Sequence, residues 1–322
     1  MIFIFGCQWD NNIVKQSFQN QYNHIYLYIK MNYSWLDKSE YPFVSNYLDM
    51  DGHLLHYIDA GQGEVVLFVH GTPSWSFEYR HVMRELMHAH RCVAIDHMGF
   101  GLSDKPAGYD YSTRNHSKTL ERFVLEKSLD NITLVVHDFG GPIGLNFAIR
   151  HPEKIKRLVI LNSWLWSSRT DPEFIKMRKL LKSPLLPFLY LHLNFSPRFL
   201  LPKSFGENKL PKRIASQYSK PFAGKTQRYG TLAFARSLLN DQEWFEELWD
   251  KRRAISEVPT LIIWGMKDPV LKPHYLEKFA GGFPSSTTVM LETCGHFPQE
   301  EQPEAVLEAL TAFLADNAQK GR

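Results

Sequence analysis

The segment from Ile132 to Gly141, ITLVVHDFGG, joins an apolar run to an acid and two glycines. The run predicts a buried strand, and Gly140 and Gly141 allow the backbone to turn sharply into a helix, as in a nucleophile elbow. This turn would expose the Asp138 carboxylate at the carboxyl end of a sheet, beside a helix N-terminus that favours negative charge. An ionised carboxylate placed there can attack carbon directly. The alternative role for Asp138 is that of a helix N-cap.

A second motif, VHGTPSW over residues 69–75, also follows an apolar run. A loop at this place supplies a backbone N–H to an oxyanion hole. The expected donors are the N–H groups of Thr72 and Phe139. We expect His70 to hold the loop rather than to take part in catalysis.

An acid and a histidine follow two apolar runs near the C-terminus. Asp268 comes after TLIIW, and His296 comes after TTVML. Catalytic residues of open α/β sheets lie in loops at strand ends. The chain order predicts a triad in which Asp138 is the nucleophile, His296 the base and Asp268 the acid that orients the base. These motifs together favour catalysis over capping for Asp138.

The elements that must position these residues alternate between apolar runs and helical periods. Each run is too short for a helix and apolar on both faces, which is typical of a strand between two helical layers. The predicted strands are Val65–Val69, Cys92–Ile95, Ile132–Val136, Leu158–Leu161, Leu261–Trp264 and Val289–Leu291. The predicted helices are Phe77–Met87, Asn115–Lys127, Pro142–His151, Pro273–Phe279 and Pro303–Leu314. The alternation predicts a doubly wound, mostly parallel α/β sheet.

The chain divides into four predicted segments. Residues 1–30 are polar and without period, so we expect an N-terminal extension that is disordered or non-native, with a genuine N-terminal arm as the alternative. The core comprises 31–163 and 254–322, and it begins with an antiparallel hairpin around Asp51-Gly52 that joins Ser45–Asp49 to Leu54–Asp59. A helical lid is expected over 164–253, inserted between core strands.

The predicted lid is strongly basic. Residues 176–228 hold twelve Lys and Arg and one acid, Glu207, so this stretch carries +11 within a chain whose formal net charge is +3. One interpretation is a solvated lid face. The other adds the apolar run SPLLPFLYLHLNFSPRFLLP and predicts weak docking of the lid on an anionic membrane surface.

The composition of the chain argues against several classes of function and of binding partner. A net charge of +3 on 322 residues is too small for a chain-wide nucleic-acid footprint, so no nucleic-acid partner is expected. The three cysteines, Cys7, Cys92 and Cys294, form no CxxC or Cys/His cluster, which argues against disulfides and a zinc site. No apolar run reaches the length of a membrane helix. We expect a cytoplasmic monomer or homodimer that needs no metal or cofactor.

Between about Tyr41 and Leu314 the chain resembles α/β-hydrolases of the haloalkane dehalogenase and epoxide hydrolase branch. The segments that carry the resemblance are YPFVSNYLDMDGHLLHYIDAG, HGTPSWSFEYR, DHMGFGLSDKP and VVHDFGGPIGL. It looks most like the dehalogenases, through GFGLSDKP and LNSWLWSSRTDP. The resemblance implies an α/β-hydrolase fold and the triad described above. Asn162 stands where some relatives place an alternative acid, and as an amide it cannot replace Asp268.

The chain departs from the dehalogenase pattern at two positions. Dehalogenases resemble one another in a Trp directly after the nucleophile, whose indole N–H holds the departing halide, and here that residue is Phe139. Many also have Asn or Glu where this chain has Thr72. Trp164, Trp166 and Trp75 are candidates for the missing donor, although Trp164 and Trp166 could equally pack at the lid hinge.

The expected reaction is attack of Asp138 on a carbon of a small apolar substrate, followed by hydrolysis of the aspartyl ester by water that His296 activates. The leading expectation is a haloalkane dehalogenase-like enzyme. The runner-up is epoxide hydrolysis, since epoxide hydrolases resemble one another in two lid tyrosines. The candidates for these are Tyr190, Tyr218 and Tyr229, and we expect Tyr229 in the substrate pocket. A β-lactone-acting relative and a non-catalytic binding protein on the same fold remain as further alternatives.

Overall fold

The computed structural model describes residues 33–319, so the predicted extension over 1–30 lies outside the described residues. Within the described range, eight strands form one sheet in the order β1-β2-β4-β3-β5-β6-β7-β8. The strands are β1 Asn46–Met50, β2 His53–Ala60, β3 Val65–Val69, β4 Arg91–Ile95, β5 Ile132–Asp138, β6 Ile155–Ser163, β7 Thr260–Gly265 and β8 Ser286–Leu291. The hairpin of β1 and β2 and the pairing of β2 with β4 are antiparallel, and the other pairings are parallel. The predicted doubly wound, mostly parallel sheet is confirmed.

Helices cover both faces of this sheet and fill the long insertion between β6 and β7. The α-helices are α1 Arg80–Leu86, α2 Thr113–Glu126, α3 Gly140–Arg150, α4 Pro172–Leu181, α5 Leu186–Leu193, α6 Leu201–Lys203, α7 Lys212–Ser219, α8 Tyr229–Asn240, α9 Gln242–Lys251, α10 Pro273–Gly282, α11 Pro298–Glu301 and α12 Pro303–Gln319. A π-helical turn, Ser196–Leu200, precedes α6. The predicted helices are all present, although the one expected over Phe77–Met87 begins with a 3₁₀ turn, Ser76–Tyr79, before α1.

β6 and β8 are both longer than predicted, and the difference in β8 has a clear cause at the edge of the sheet. Strand β8 starts at Ser286, three residues before the predicted start, and its first half is polar and largely exposed. An edge strand with one face in water lacks the continuous apolar run on which the prediction rested. The central strands β3 and β5 are buried along their whole length, and both were predicted from that run.

The insertion between β6 and β7 has two packing regions. Its first helices form a small core of their own, made by Phe174, Leu181, Leu186, Tyr190, Leu191, Leu232 and Ala235. Its last helix, α9, instead buries Trp244, Phe245 and Leu248 in the main core with the sheet. Phe222 and Phe234, earlier in the predicted lid over 164–253, also belong to this main core. Both parts are helical and apolar, so the sequence pattern does not separate them.

No helix among residues 33–319 has the length and apolar content that a transmembrane span requires.

Candidate active site

Asp138 ends the buried strand β5 and has a left-handed backbone, with φ of 51°. This conformation is uncommon for a residue other than glycine and marks a strained, over-determined position. Close backbone approach explains two neighbouring glycines. A Cβ atom at Gly71 would overlap the Asp138 side chain, and one at Gly140 would overlap the Val69 carbonyl. The predicted elbow is therefore present.

The Asp138 carboxylate does not cap the helix that follows it. The residue at the N-cap of α3 is Phe139, and no side chain caps that helix end. The Thr72 N–H instead donates a hydrogen bond to Asp138 Oδ1 at 2.7 Å. The loop after β3 thus holds one carboxylate oxygen, as expected for an oxyanion-hole donor, and Oδ2 lies 3.3 Å from His296 Nε2. Asp138 is 8% exposed, so a small part of it faces open space.

His296 lies between two carboxylates. Its Nδ1 lies 2.6 Å from Asp268 Oδ2, and because a carboxylate only accepts, Nδ1 carries the proton in this contact. Burial lowers the pKa of His296, but the charge of Asp268 and the hydrogen bonds that the imidazole donates to Asp138 and Asp268 outweigh burial and raise that pKa to about 10. The imidazole is thus protonated at neutral pH. The three residues form the arrangement that the sequence predicted.

Asp268 is held by more than its histidine. The Val270 and Leu271 N–H groups donate to Oδ1 at 2.8 and 2.9 Å, and Asn162 Nδ2 donates to Oδ2 at 2.9 Å. Burial raises the pKa of Asp268, but the charge of His296 and these hydrogen bonds lower it below its ordinary value. Asp268 is therefore kept ionised inside the protein.

The role of Asn162 was not predicted beyond its inability to act as an acid. Its side-chain oxygen accepts from the Gly265 N–H at 2.8 Å, and its Nδ2 also contacts the Gly265 carbonyl at 3.2 Å. Its φ is 22°. Asn162 therefore ties the end of β6 to the end of β7 and aims Asp268 at the histidine.

A second buried pair, His137 and Glu78, contacts the backbone of the triad histidine. His137 Nε2 donates to the His296 carbonyl at 2.8 Å, and His137 Nδ1 lies 3.2 Å from both carboxylate oxygens of Glu78. Both side chains are fully buried. The only sequence signal for this pair is a histidine directly before the nucleophile. His70 behaves as expected, because Nδ1 contacts the Gly71 carbonyl and Nε2 accepts from the His97 N–H.

The triad opens into a cavity of about 350 Å³. Asp138, His296 and Asp268 line one side together with Thr72 and Phe139. The lid supplies the other side, mainly through the apolar residues Phe174, Met177, Leu181, Leu200, Leu201, Ala235 and Leu238. A site with few polar groups and an apolar lid suits a substrate with hydrocarbon parts.

Of the three candidate tryptophans, the structure places Trp164 at the cavity. Trp164 packs edge-on against Phe139, with ring centres 4.8 Å apart. Trp166 instead packs among Trp249, Tyr275 and Phe279, which fits the hinge-packing alternative. Neither Trp166 nor Trp75 is among the cavity residues, so their expected place in the leaving-group pocket is corrected.

Trp75 is buried, and its indole contacts residues other than those of the cavity. Its Nε1 donates to the Gln217 carbonyl at 3.1 Å, and its ring stacks on Phe77. A polar side-chain atom that is bonded and enclosed in this way cannot turn toward a substrate without losing both contacts.

The three candidate tyrosines lie in three different places in the structure. Tyr190 lines the cavity, and burial, with a smaller contribution from the charge of Asp138, raises its pKa to about 12. Tyr218 is buried and donates to Glu300. Tyr229 lines a different surface pocket, beside Tyr109. The expected place of Tyr229 in the substrate pocket is therefore corrected, because helix α8 turns its first residue away from the triad.

The chain is similar to known proteins over most of its length. A family model for the alpha/beta hydrolase fold matches residues 64–303. A cis-3-alkyl-4-alkyloxetan-2-one decarboxylase from Shewanella oneidensis is 35% identical over 285 residues, which cover 85% of this chain and 89% of the relative. Haloalkane dehalogenase 2 from Mycobacterium bovis is 30% identical over 279 residues, covering 85% of this chain and 96% of the relative.

A solved structure gives the same fold. The haloalkane dehalogenase DatA from Agrobacterium tumefaciens C58 superposes with a TM-score of 0.77 at 26% identity, covering 85% of this chain and 96% of that one. These findings confirm the resemblance to haloalkane dehalogenases that the motifs indicated. The chain belongs to the α/β-hydrolase family and is an enzyme of that family.

Proposed function

We propose that Asp138 attacks a ring carbon of an oxetan-2-one, a β-lactone, that carries alkyl groups at C3 and C4, and that the enzyme releases an alkene and carbon dioxide. The observation that carries the proposal is the residue after the nucleophile. Phe139 packs its ring between Trp164 and Phe234, so this position offers no side-chain N–H to a free halide. The similarity to the Shewanella oneidensis relative supports the same substrate class.

The proposed first step needs no separate leaving-group site, because the leaving group stays attached to the substrate. Asp138 Oδ2, the oxygen that does not accept from the Thr72 N–H, attacks C4. The C4–O bond breaks, and its electron pair remains on the ring oxygen as a carboxylate. The product is an aspartyl ester that bears the substrate's own carboxylate. The Tyr190 phenol lines the same cavity and, with a pKa of about 12, keeps its proton at neutral pH, so it can donate to that carboxylate.

The second step returns the enzyme to its starting state without water. The C2–C3 bond breaks and releases carbon dioxide, its electron pair forms the C3–C4 double bond, and the C4–O bond to Asp138 breaks with its pair returning to the carboxylate. Attack from the side opposite the ring oxygen leaves the new C–O bond antiperiplanar to the C2–C3 bond, which is the alignment that this elimination requires. A cis-lactone then gives a cis-alkene. His296 and Asp268 hold Asp138 in line throughout.

Purified enzyme with a cis-3,4-dialkyloxetan-2-one tests the proposal by gas chromatography of the products. We expect cis-alkene and carbon dioxide from the wild type and no alkene from Asp138→Asn. A 3-hydroxy acid in place of the alkene would show lactone hydrolysis and overturn the decarboxylation. If Asp138→Asn still formed alkene and carbon dioxide at the wild-type rate, Asp138 would not be the nucleophile.

The second candidate is hydrolysis of haloalkanes, which the place of Trp164 in the cavity favours. In this reaction the Trp164 indole N–H would hold the departing halide. His296 would then activate water against the ester, since esterification of Asp138 removes one of the two charges that raise the histidine pKa. We expect Trp164→Phe to lower halide release by about 1.5–3 kcal/mol in activation free energy, the contribution of a hydrogen bond to a charged group. Absence of halide from a panel of haloalkanes, measured by ion chromatography, would exclude this candidate.

A further inference from the structure

The outer surface of the lid exposes an unusual set of large apolar side chains. Within residues 33–319, the lid residues of this kind are Ile175, Leu185, Phe188, Leu193, Phe199 and Leu200. Leu185 is 63% exposed and Phe188 is 52% exposed. Isolated apolar residues are normal on protein surfaces, whereas grouped ones mark interaction sites. We call this set the lid apolar patch.

The lid apolar patch shares one residue, Leu200, with the wall of the active-site cavity. The π-helical turn exposes three consecutive residues, Arg198, Phe199 and Leu200, and Phe199 stacks on Phe195 at 5.6 Å. Leu200 also lines the cavity, as do the exposed residues Lys203 and Val270. The cavity wall therefore reaches the protein surface beside the patch, at Leu200 and Lys203.

Basic side chains alternate along the chain with the members of this patch, between residues 175 and 203. Lys179, Lys182, Arg198 and Lys203 are exposed and form no ion pair with any residue that the structure describes. By contrast, Lys176 pairs with Glu173, and Arg228 donates to backbone carbonyls of the lid. Because the +11 of residues 176–228 leaves −8 for the rest of the chain, the cationic face is local to the lid. Solvation alone accounts for the lysines but not for the exposed phenylalanines and leucines between them.

We propose that the lid docks on the surface of an anionic phospholipid bilayer, with the lid apolar patch inserted among the lipids and the cavity mouth facing them. Apolar side chains on a basic face are the combination that binds such surfaces. A symmetric dimer through this face is disfavoured, because an isologous contact would bring the same cationic surface against itself. An alkyl substrate dissolved in the bilayer would reach Asp138 without crossing water.

Vesicle sedimentation with the full chain tests the docking and does not depend on catalysis. We expect binding to vesicles of equal parts phosphatidylcholine and phosphatidylglycerol, weak binding to pure phosphatidylcholine, and release from the former by salt. Each Lys or Arg near such a surface contributes about a fivefold gain in partition. Lys179→Glu with Arg198→Glu should therefore weaken binding by at least about tenfold. Phe188→Ser with Phe199→Ser should also reduce it.

The chain offers matched controls for both variants. Lys38→Glu with Lys118→Glu makes the same change in net charge at exposed positions outside the lid. Leu125→Ser with Met290→Ser removes apolar side chains of similar exposure elsewhere. Both controls should bind vesicles as the wild type does. The proposal would be overturned if the lid variants and the controls lost vesicle binding equally, or if the wild type did not bind anionic vesicles at low salt. Concentration-dependent dimerisation that the lid variants abolish would assign this face to a second copy of the chain instead.

Discussion

At the scale of single residues, the site is organised around an imidazole held between two carboxylates. The pKa of His296 is about 10 because both Asp138 and Asp268 favour its charged form against the effect of burial. Asp138→Asn removes one of these charges but keeps the side-chain shape. We expect the pKa of His296 to fall, and we expect turnover to drop by at least about a thousandfold, because an amide has no anionic oxygen for attack.

Titration of the His296 ring signals by NMR measures the first effect, and product formation measures the second. Asp59→Asn, which changes a carboxylate that pairs with Arg91 far along the sheet from the triad, serves as the charge control. An unchanged His296 pKa in Asp138→Asn would contradict the ion pair between these two side chains.

Asn162 is the residue whose role the structure adds to the predicted triad. Its Nδ2 donates to the same Asp268 oxygen that contacts His296. Asn162→Asp would replace this donor with a second carboxylate at 2.9 Å, where two charges repel and one is forced to take a proton. We expect the turnover number to fall at least about tenfold, with a loss of stability of about 1–3 kcal/mol from the unsatisfied buried groups.

The pH profile of turnover distinguishes this positioning role from a general loss of packing. If Asn162 orients Asp268, then Asn162→Asp should change the pH dependence of turnover, since Asp268 sets the histidine pKa. A variant with a lower melting temperature and an unchanged pH profile would reduce Asn162 to a structural residue. Asn146→Asp, in helix α3 away from the triad, is the matched substitution.

At the scale of elements, the catalytic geometry depends on how closely two strand ends approach. The loop after β3 passes so near the elbow after β5 that Gly71 has no room for a side chain beside Asp138. Gly71→Ala should therefore displace either the carboxylate or the Thr72 N–H that binds it. Losing one oxyanion-hole donor costs about 2.7–4 kcal/mol in activation free energy, which sets the expected fall in turnover.

Gly52→Ala and Gly71→Ala should behave differently. Gly52 lies in the β1–β2 turn at φ of 85° with open space around it, so alanine there strains the backbone and touches no catalytic group. We expect that variant to lose stability and keep its turnover, whereas Gly71→Ala should lose turnover with a smaller effect on the midpoint of urea unfolding. Wild-type turnover in Gly71→Ala would show that the loop relaxes without moving Asp138.

The same scale explains which parts of the structure were predictable. Buried strands such as β5 can be recognised in the sequence by their continuous apolar runs. The triad residues can then be predicted, because catalytic loops come directly after such strands. The lid is different, because its helices have apolar residues whether they face the lid core, the main core or the cavity. The places of Trp166 and Tyr229 depend on helix rotation and on long-range packing. Neither is encoded in local spacing.

At the scale of the whole molecule, the ion pairs of the site link folding stability to pH. The pKa of His296 is about 10 in the folded protein, against an ordinary value near 6.5 in the unfolded chain. Below about pH 6.5 the imidazole is protonated in both states, so its stabilising contribution is complete. Above that pH the unfolded chain gives up the proton and the folded protein keeps it. The free energy of unfolding should therefore fall as pH rises from about 6.5 to about 10.

Urea unfolding at several pH values across this window measures the effect, and His296→Gln isolates it. The wild type should lose stability steadily toward pH 10, and the variant should show a shallower fall. Three other buried histidines do not titrate in this window, because burial lowers the pKa of His116 to about 3 and lowers those of His70 and His97 below their ordinary values. Those side chains titrate at lower pH than the window requires. Parallel pH profiles for the wild type and His296→Gln would contradict the raised pKa and, with it, an imidazolium between the two carboxylates of the resting enzyme.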